Sequence, residues 1–290
     1  MHDGKQALPG ARECFAALAK SKKKKLVVLS NTSRRRDHAL SKLPKIGFDA
    51  ALLSGFVCSG ELAWQHMVDQ CGGQRCLWIS WSDDFMAWQA DYLDGTNVCL
   101  ATAAEADFVL LHGSQCLRDG QQGSQASAAT GLWEGDGVPS QALMEALATC
   151  AERGLPMLCA NPDLFVTLPD GSRGRMPGLI AESYEQLGGV VIYYGKPHRP
   201  AFDAALAMLS KELPALDPAR VLHVGDSLAH DVRGASAAGI HSLFVASGIH
   251  AEEIGIEEGD QNAVLSEEGL ESLFAKHGAQ PTYSTLAFRW

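Results

Sequence analysis

The chain has 290 residues, of which 46% are hydrophobic, and a formal net charge of −10. This length and composition predict one large or two ordinary domains with a substantial core. The negative charge argues against nucleic acid as a main partner, and no apolar run reaches the about 18 residues that a membrane-spanning helix needs. The eight cysteines are scattered without a Cys-x-x-Cys pair, so we expect reduced thiols and a cytoplasmic protein.

The first part of the chain alternates between predicted helices and apolar strands. A helix is predicted at residues 11–19, and the apolar run at residues 26–30 predicts a buried strand. A second helix follows Arg36, and residues 50–53 predict another strand. This alternation is typical of an α/β domain with a parallel sheet.

The middle part is a second alternating stretch. Its candidate strands are residues 76–80, 97–100, 108–112 and 156–160. Residues 114–137 are rich in Gly, Gln, Ser and Ala and predict a long exposed loop. We expect this stretch to be a smaller α/β domain inserted into the first one.

The final part returns to the same alternation. Its candidate strands are residues 190–194, 221–224 and 242–245, and its candidate helices begin at Pro200, cover 232–238 and lie near 267–276. We therefore predict three segments, with residues 1–73 as the first part of a core, 74–187 as an inserted α/β cap and 188–290 as the second part of the core.

Three polar signals follow predicted core strands or precede a core helix. They are Ser30 with Asn31, Lys196 after Gly195, and Asp226 with Asp231, which gives a set of five polar side chains. In open parallel sheets, ligands bind at the carboxyl ends of strands. Phosphoryl transfer needs donors for the phosphate oxygens, a fixed positive charge and a metal ion. Each signal alone has an ordinary explanation as a cap or turn residue, but together they describe a phosphate site.

The motifs resemble those of the haloacid dehalogenase (HAD) superfamily, in its class IIA branch of 4-nitrophenylphosphatase, phosphoglycolate and pyridoxal phosphate phosphatases. Residues 26–31 (LVVLSN), 194–198 (YGKPH) and 225–231 (GDSLAHD) resemble its second, third and fourth motifs. Residues 159–163 (CANPD), 176–178 (MPG) and 184–189 (YEQLGG) are similar to the close of its cap. The resemblance implies a Rossmann-like core with an inserted α/β cap.

The resemblance also implies roles for the core residues. Ser30 would bind the transferring phosphate, Lys196 would bridge phosphate and nucleophile, and Asp226 would bind Mg²⁺. Asp231 would support the lysine and a metal-bound water. We therefore expect Lys196 and Asp231 to act in catalysis and Mg²⁺ to be the cofactor.

The remaining candidates would contact substrate. Asn31 adjoins the phosphate-binding serine, and His198 closes the third motif. Asn161 and Asp163 would lie on a cap loop that faces the site. Arg34, in a basic run that reaches Arg36, either draws in an anionic substrate or decorates a helix start, and the sequence leaves these two readings even.

The family's first motif, Asp-x-Asp-Gly, is absent. Residues 1–4 (MHDG), leading to LPG at 8–10, resemble the segment that trails this motif, so Asp3 is not the nucleophile. The resemblance implies a nucleophile on a central strand upstream of Met1, together with any organelle-targeting segment. Without that strand, buried amides would be left unpaired at about 1–3 kcal/mol each. We expect the chain, as written, to be unstable and impaired in catalysis.

Three functional hypotheses follow. The first is a Mg²⁺-dependent phosphatase of small phosphorylated metabolites whose nucleophile is supplied by sequence outside this chain. The alternative is a non-catalytic binding or regulatory protein that keeps the phosphate pocket for a ligand. A dinucleotide-binding enzyme is disfavoured because no Gly-x-Gly-x-x-Gly follows a strand. A homodimer is the candidate assembly, because caps in this branch often mediate dimers.

Overall fold

The structure is a computed structural model that describes residues 6–21, 24–82, 91–120, 131–135, 137–167, 172–257 and 263–289. The segment at residues 1–4, and residues 121–130 of the predicted long loop, lie outside these ranges. Within them, no helix is long and apolar enough to cross a lipid bilayer.

The described chain contains helices in alternation with short strands, most of which pair in parallel. In chain order the helices are α1 (Ala11–Lys20), α2 (Arg36–Leu40), α3 (Ser59–Gln70), α4 (Gln141–Glu152), α5 (Pro177–Gln186), α6 (Arg199–Glu212), α7 (Arg233–Ala238) and α8 (Glu267–His277). The strands are β1 (Val27–Ser30), β2 (Gly55–Cys58), β3 (Arg75–Ser80), β4 (Cys99–Leu100), β5 (Phe108–Leu111), β6 (Cys116–Arg118), β7 (Pro156–Cys159), β8 (Phe165–Thr167), β9 (Arg173–Arg175), β10 (Val190–Tyr193), β11 (Leu222–Gly225), β12 (His241–Val245) and β13 (Tyr283–Thr285).

The chain forms two compact units. The first unit comprises Met1–Leu29, Leu40–Val57 and Lys196–Trp290, and the second comprises Ser30–Ala39 and Cys58–Gly195. Each unit is therefore assembled from separate segments of the chain.

The first unit contains two small sheets. Strand β1 pairs with β2, while β11, β12 and β13 form a parallel sheet in that order. Within the described ranges, no strand joins β1 to β11. A cluster of buried apolar side chains, including Leu228, Phe244 and Phe274, packs the segment after β11 against β12 and α8.

Helix α8 is well specified by its own sequence. The Ser266 side chain accepts a hydrogen bond from the Gly269 amide at 3.2 Å and so caps the first turn. Two glutamates occupy the first turn, Lys276 and His277 occupy the last, and Gly278 ends the helix with a φ of 57°. These charges complement the helix dipole, and the glycine adopts the left-handed conformation at no steric cost.

The second unit is built on a sheet in the order β10-β7-β5-β3-β4. Its strands are parallel, except that β6 adds antiparallel to β3. Alternate residues of β3 and β5 face opposite sides, so Leu77 and Val109 join the cluster with α4 and α5. Trp78 and Leu110 join the cluster on the other side with α3. Burial on both faces explains why these strands are continuous apolar runs.

Several elements differ from the sequence-based expectations. Residues 50–52 form a 3₁₀ turn rather than a strand, because Asp49 accepts the Ala51 amide at 2.9 Å, and the strand follows as β2. Strand β6 lies inside the stretch predicted to be a long loop. The strand that was predicted to open the second part of the core, β10, instead pairs with β7 in the second unit.

Candidate active site

A buried ion pair follows β11 in the first unit. The Lys196 ammonium lies 2.7 Å from Oδ1 of Asp231, and the two side chains are 17% and 5% exposed. The same oxygen lies 2.8 Å from Nε2 of His223, and Oδ2 accepts the Ser227 amide at 3.0 Å. Three donors therefore fix the carboxylate, and the carboxylate fixes the lysine.

This environment sets the charge state of Asp231. Burial by itself would raise the pKa of its carboxyl group. The Lys196 charge and the hydrogen bonds from His223 and Lys196 outweigh burial and hold the pKa well below its usual range. Asp231 is therefore an anion at neutral pH, and Lys196 sits beside a permanent counter-charge.

The backbone at the end of β11 leaves room for this carboxylate. A Cβ atom on Gly225 would lie 2.1 Å from Cγ of Asp231, a distance that real contacts do not reach. Only glycine lets the Asp231 side chain pack against the strand end. Gly225 therefore makes room for the ion pair, and it also places Asp226 directly after the end of the strand.

Asp226 leaves the sheet directly after β11 and is half-buried. Its Oδ2 accepts the Ile249 amide at 3.2 Å, and a Cβ atom on Gly248 would lie 2.2 Å from its Cβ. Ser227 caps the π-helical turn Leu228–Val232 by accepting the His230 amide at 3.1 Å. The loop is thus held on both sides while it presents a hard carboxylate oxygen donor, the type that suits Mg²⁺.

A second grouping lies within the second unit. The side-chain amide of Asn31 donates to Oδ1 of Asp163 at 2.7 Å, and the backbone amide of Asp163 donates to Oδ1 of Asn161 at 2.9 Å. A Cβ atom on Gly195 would lie 2.7 Å from Oδ1 of Asn31. The structure therefore brings together three residues that the sequence predicted to contact substrate.

The loop after β1 is held by the start of α3. The Thr32 carbonyl accepts the Gly60 amide at 3.0 Å and the Ser59 hydroxyl at 3.1 Å. A Cβ atom on Gly60 would lie 2.0 Å from the Ser33 carbonyl oxygen, so the close approach requires glycine. Ser30 accepts the Thr32 amide at 3.3 Å, which orients its hydroxyl.

A buried histidine that was not predicted from the sequence supports the same loop. Nε2 of His112 lies 3.0 Å from the Ser33 carbonyl oxygen. Burial lowers the pKa of His112 to about 3, so the ring is neutral and donates through Nε2–H. Its ring centroid lies 3.9 Å from that of Tyr92, whose hydroxyl donates to the Gly60 carbonyl at 2.7 Å.

The arginines of this loop have separate environments. Arg35 donates to Glu61 at 2.8 Å and lies 3.5 Å over the Trp64 ring, while the Arg36 amide also donates to Glu61. These contacts support the helix-start reading for both. Arg34 is half-buried, and burial lowers its pKa, although arginine stays protonated in proteins.

His198 immediately precedes α6, at its N-cap position, with extended backbone angles. Its side chain does not cap the helix. His198 therefore lies two residues after Lys196, at the N-terminus of α6 and not within the helix.

Two family matches agree with this fold and these residues. The chain belongs to the haloacid dehalogenase-like hydrolases: the haloacid dehalogenase-like hydrolase family matches residues 1–91, and the HAD-hydrolase-like family matches residues 193–266. Together they span more than half of the chain. The predicted superfamily and Rossmann-like α/β fold are confirmed.

The individual proteins that resemble this chain have low sequence identity to it. The chain is 25% identical to human chronophin over 252 residues, covering 85% of this chain and 78% of chronophin. It resembles a haloacid dehalogenase-like hydrolase from Brucella suis 1330, with a TM-score of 0.69, 24% identity and coverage of 99% and 91% of the two chains. It also resembles the glycerol phosphate phosphatase of Mycobacterium tuberculosis in complex with magnesium, with a TM-score of 0.60, 19% identity and coverage of 98% and 71%. The match to chronophin supports the class IIA branch that the motifs predicted.

Proposed function

We propose that this protein is a Mg²⁺-dependent phosphatase of small phosphorylated metabolites. The observation that carries the proposal is the buried Lys196–Asp231 pair beside the strand-end Asp226. A fixed cation and a hard carboxylate donor that can hold a metal ion are two of the elements that phosphoryl transfer requires. The Mycobacterium tuberculosis glycerol phosphate phosphatase, a structural neighbour in complex with magnesium, supports the choice of ion and of substrate class.

Within this proposal Lys196 is the catalytic cation. Its ammonium stabilises negative charge on the transferring phosphoryl group. Asp231 is a positioning residue because it holds the lysine, and His223 is one because it holds Asp231. Since Asp231 keeps its charge at neutral pH, the lysine keeps one orientation before substrate binds.

Asp226 would hold Mg²⁺ through a carboxylate oxygen. When bound, the ion supplies positive charge to the phosphate oxygens. Mg²⁺ commonly binds one or two carboxylates, substrate phosphate and water, so a single strand-end carboxylate fits its needs in this unit.

The second unit holds further groups suited to an anionic substrate in this proposal. Ser30 offers a hydroxyl group, and Arg34 offers positive charge. Asn31, Asn161 and Asp163 form a hydrogen-bonded set in that unit that offers amide and carboxylate groups to a substrate. His198, in the first unit, is a further polar candidate.

None of the residues assigned so far in this proposal supplies the nucleophile. Within the described ranges, the strands paired with β1 and β11 end at Cys58 and Val245, so neither presents an aspartate. We therefore propose that turnover by this chain is impaired and that an aspartate on a further strand would restore it.

The test is phosphate release from a panel of phosphate monoesters, with and without Mg²⁺. This chain is compared with a version extended in frame at its N-terminus by the upstream coding sequence. We expect Mg²⁺-dependent turnover only from the extended protein, and its loss in Lys196→Met. If both proteins are folded and silent but are stabilised by phosphorylated ligands, the non-catalytic binding protein is the correct account.

A further inference from the structure

Three potential metal ligands meet in the first unit, apart from the residues assigned to the phosphatase. His250 lies in the turn after β12, Glu253 follows it in a 3₁₀ turn, and His277 ends α8. One donor atom from each lies within 4.8 Å of the others. Nδ1 of His250 is 2.6 Å from Oε1 of Glu253, and Nε2 of His277 is 3.1 Å from Oε2.

We propose that His250, Glu253 and His277 bind a divalent transition-metal ion of the Zn²⁺ class. Two imidazoles and one carboxylate suit Zn²⁺, whereas Mg²⁺ prefers oxygen donors alone. Ligand atoms about 2.0–2.1 Å from a tetrahedral Zn²⁺ lie about 3.3 Å apart, within the spread seen here. Three protein ligands leave the fourth position to water. The inference is independent of the proposed phosphatase activity.

The ligands are already held in place. His250 is buried, and its ring packs edge-on against that of His277 with centroids 4.5 Å apart. Arg233 donates to the backbone carbonyl of His277, which anchors the end of α8. The Glu253 carboxylate is in hydrogen-bond contact with Lys276 and with both histidines, and these contacts fix its position.

One cation already competes for this carboxylate. The Lys276 ammonium lies 2.5 Å from Oε2 of Glu253, and its side chain is 65% exposed. Exposed ion pairs contribute little to stability, and this long side chain can turn into solvent when a metal ion arrives. Removing the lysine should therefore strengthen metal binding, whereas a purely structural ion pair predicts no such gain.

Binding also requires a change of tautomer. In the structure Nε2 of His250 accepts the Leu228 amide at 3.4 Å, so Nδ1 carries the proton that faces Glu253. When Nδ1 binds the metal, that proton moves to Nε2 and the Leu228 bond is lost. The contact is long and therefore weak.

The test is isothermal titration of the full chain with ZnCl₂ in a Cys99→Ser background, because Cys99 is the exposed thiol among the cysteines. We expect one Zn²⁺ per chain. Glu253→Gln and His277→Ala should each weaken binding at least about tenfold, since each removes a ligand. Lys276→Gln should tighten binding, and His38→Ala, at an exposed histidine of α2, should leave it unchanged.

Contradictory outcomes are equally definite. The proposal is wrong if the parent chain shows no saturable Zn²⁺ binding, or if binding survives both ligand substitutions. Competition by Mg²⁺ at equal concentration would also overturn it, because this donor set should reject the harder ion. Glu253→Gln is isosteric and keeps one acceptor oxygen, so it is the milder substitution, and its result stands even if His277→Ala fails to fold.

Discussion

Gly225 and Asp231 are in such close contact that a single methyl group cannot be placed between them: a Cβ atom on the glycine would lie 2.1 Å from Cγ of the aspartate. The end of β11 therefore shapes the carboxylate that holds Lys196. The consequence is that a backbone position, and not only the charged residues, controls the geometry of the candidate active site.

The first prediction concerns this glycine. Gly225→Ala should push Asp231 away from Lys196 and destabilise the fold by about 1–3 kcal/mol, as overpacking does in a rigid site. The measurement is the free energy of unfolding in urea. Gly72→Ala is the matched control, because a Cβ atom on Gly72 would lie 4.0 Å from the Thr96 carbonyl oxygen. Its free energy of unfolding should change by no more than about 0.5 kcal/mol. Equal effects at both glycines would contradict the packing argument.

The second prediction concerns the ion pair itself. Lys196→Met leaves the Asp231 carboxylate buried with His223 and the Ser227 amide as its remaining donors. We expect a loss of about 1–3 kcal/mol, the range for a charged hydrogen-bonding group that loses a partner. A double-mutant cycle with Asp231→Asn should give a coupling energy above about 0.5 kcal/mol. Additive single effects would show that the pair contributes no energy of its own.

The third prediction is the pH dependence of that pair. The pKa of Asp231 is lowered in the folded state, so its stabilising effect is complete above the unfolded value of about 3.9. It is lost as pH falls below that value toward the folded pKa. The difference in unfolding free energy between wild type and Asp231→Asn should be level from pH 7 to 5 and shrink below about pH 4. A difference that grows on acidification would reverse the assigned sign.

The fourth prediction concerns the pH dependence of stability that His112 causes, which lies in a different pH range from that of Asp231. Burial lowers the pKa of His112 to about 3. Below about pH 6.5, therefore, the histidine is protonated in the unfolded chain but stays neutral in the folded chain. Wild type should lose about 1.4 kcal/mol per pH unit relative to His112→Gln between about pH 6 and pH 4. Glutamine can still donate to the Ser33 carbonyl, so it is the suitable reference. Parallel pH profiles for the two proteins would contradict this, because they would show that His112 has the same pKa in the folded and unfolded states.

The sequence predicted the alternating α/β architecture because apolar runs and turn residues are local signals. It also predicted Lys196, Asp226 and Asp231, since each follows or adjoins a recognisable motif. It did not predict His223 or His112. His223 contacts Asp231 eight residues away, and His112 contacts Ser33 across 79 residues, so only the fold brings these partners together.

The pairing of β10 illustrates the same limit. Its four residues form an apolar run that would suit either unit, and hydrophobicity does not choose between two parallel sheets. The register that joins Val190 to Pro156 and Tyr193 to Cys159 depends on the position of β7. Short elements such as β6 and β13, with three residues each, are also too brief for a periodic signal.

The most direct test of the account is the thermal shift produced by inorganic phosphate with Mg²⁺, measured on wild type, Lys196→Met and the surface control Lys211→Met. Sodium chloride at matched ionic strength corrects for screening. We predict that phosphate with Mg²⁺ raises the melting temperature of wild type and Lys211→Met but not of Lys196→Met, because ligand binding stabilises only the folded state that retains the site. An equal shift in all three proteins would contradict the assignment of Lys196 to a phosphate site.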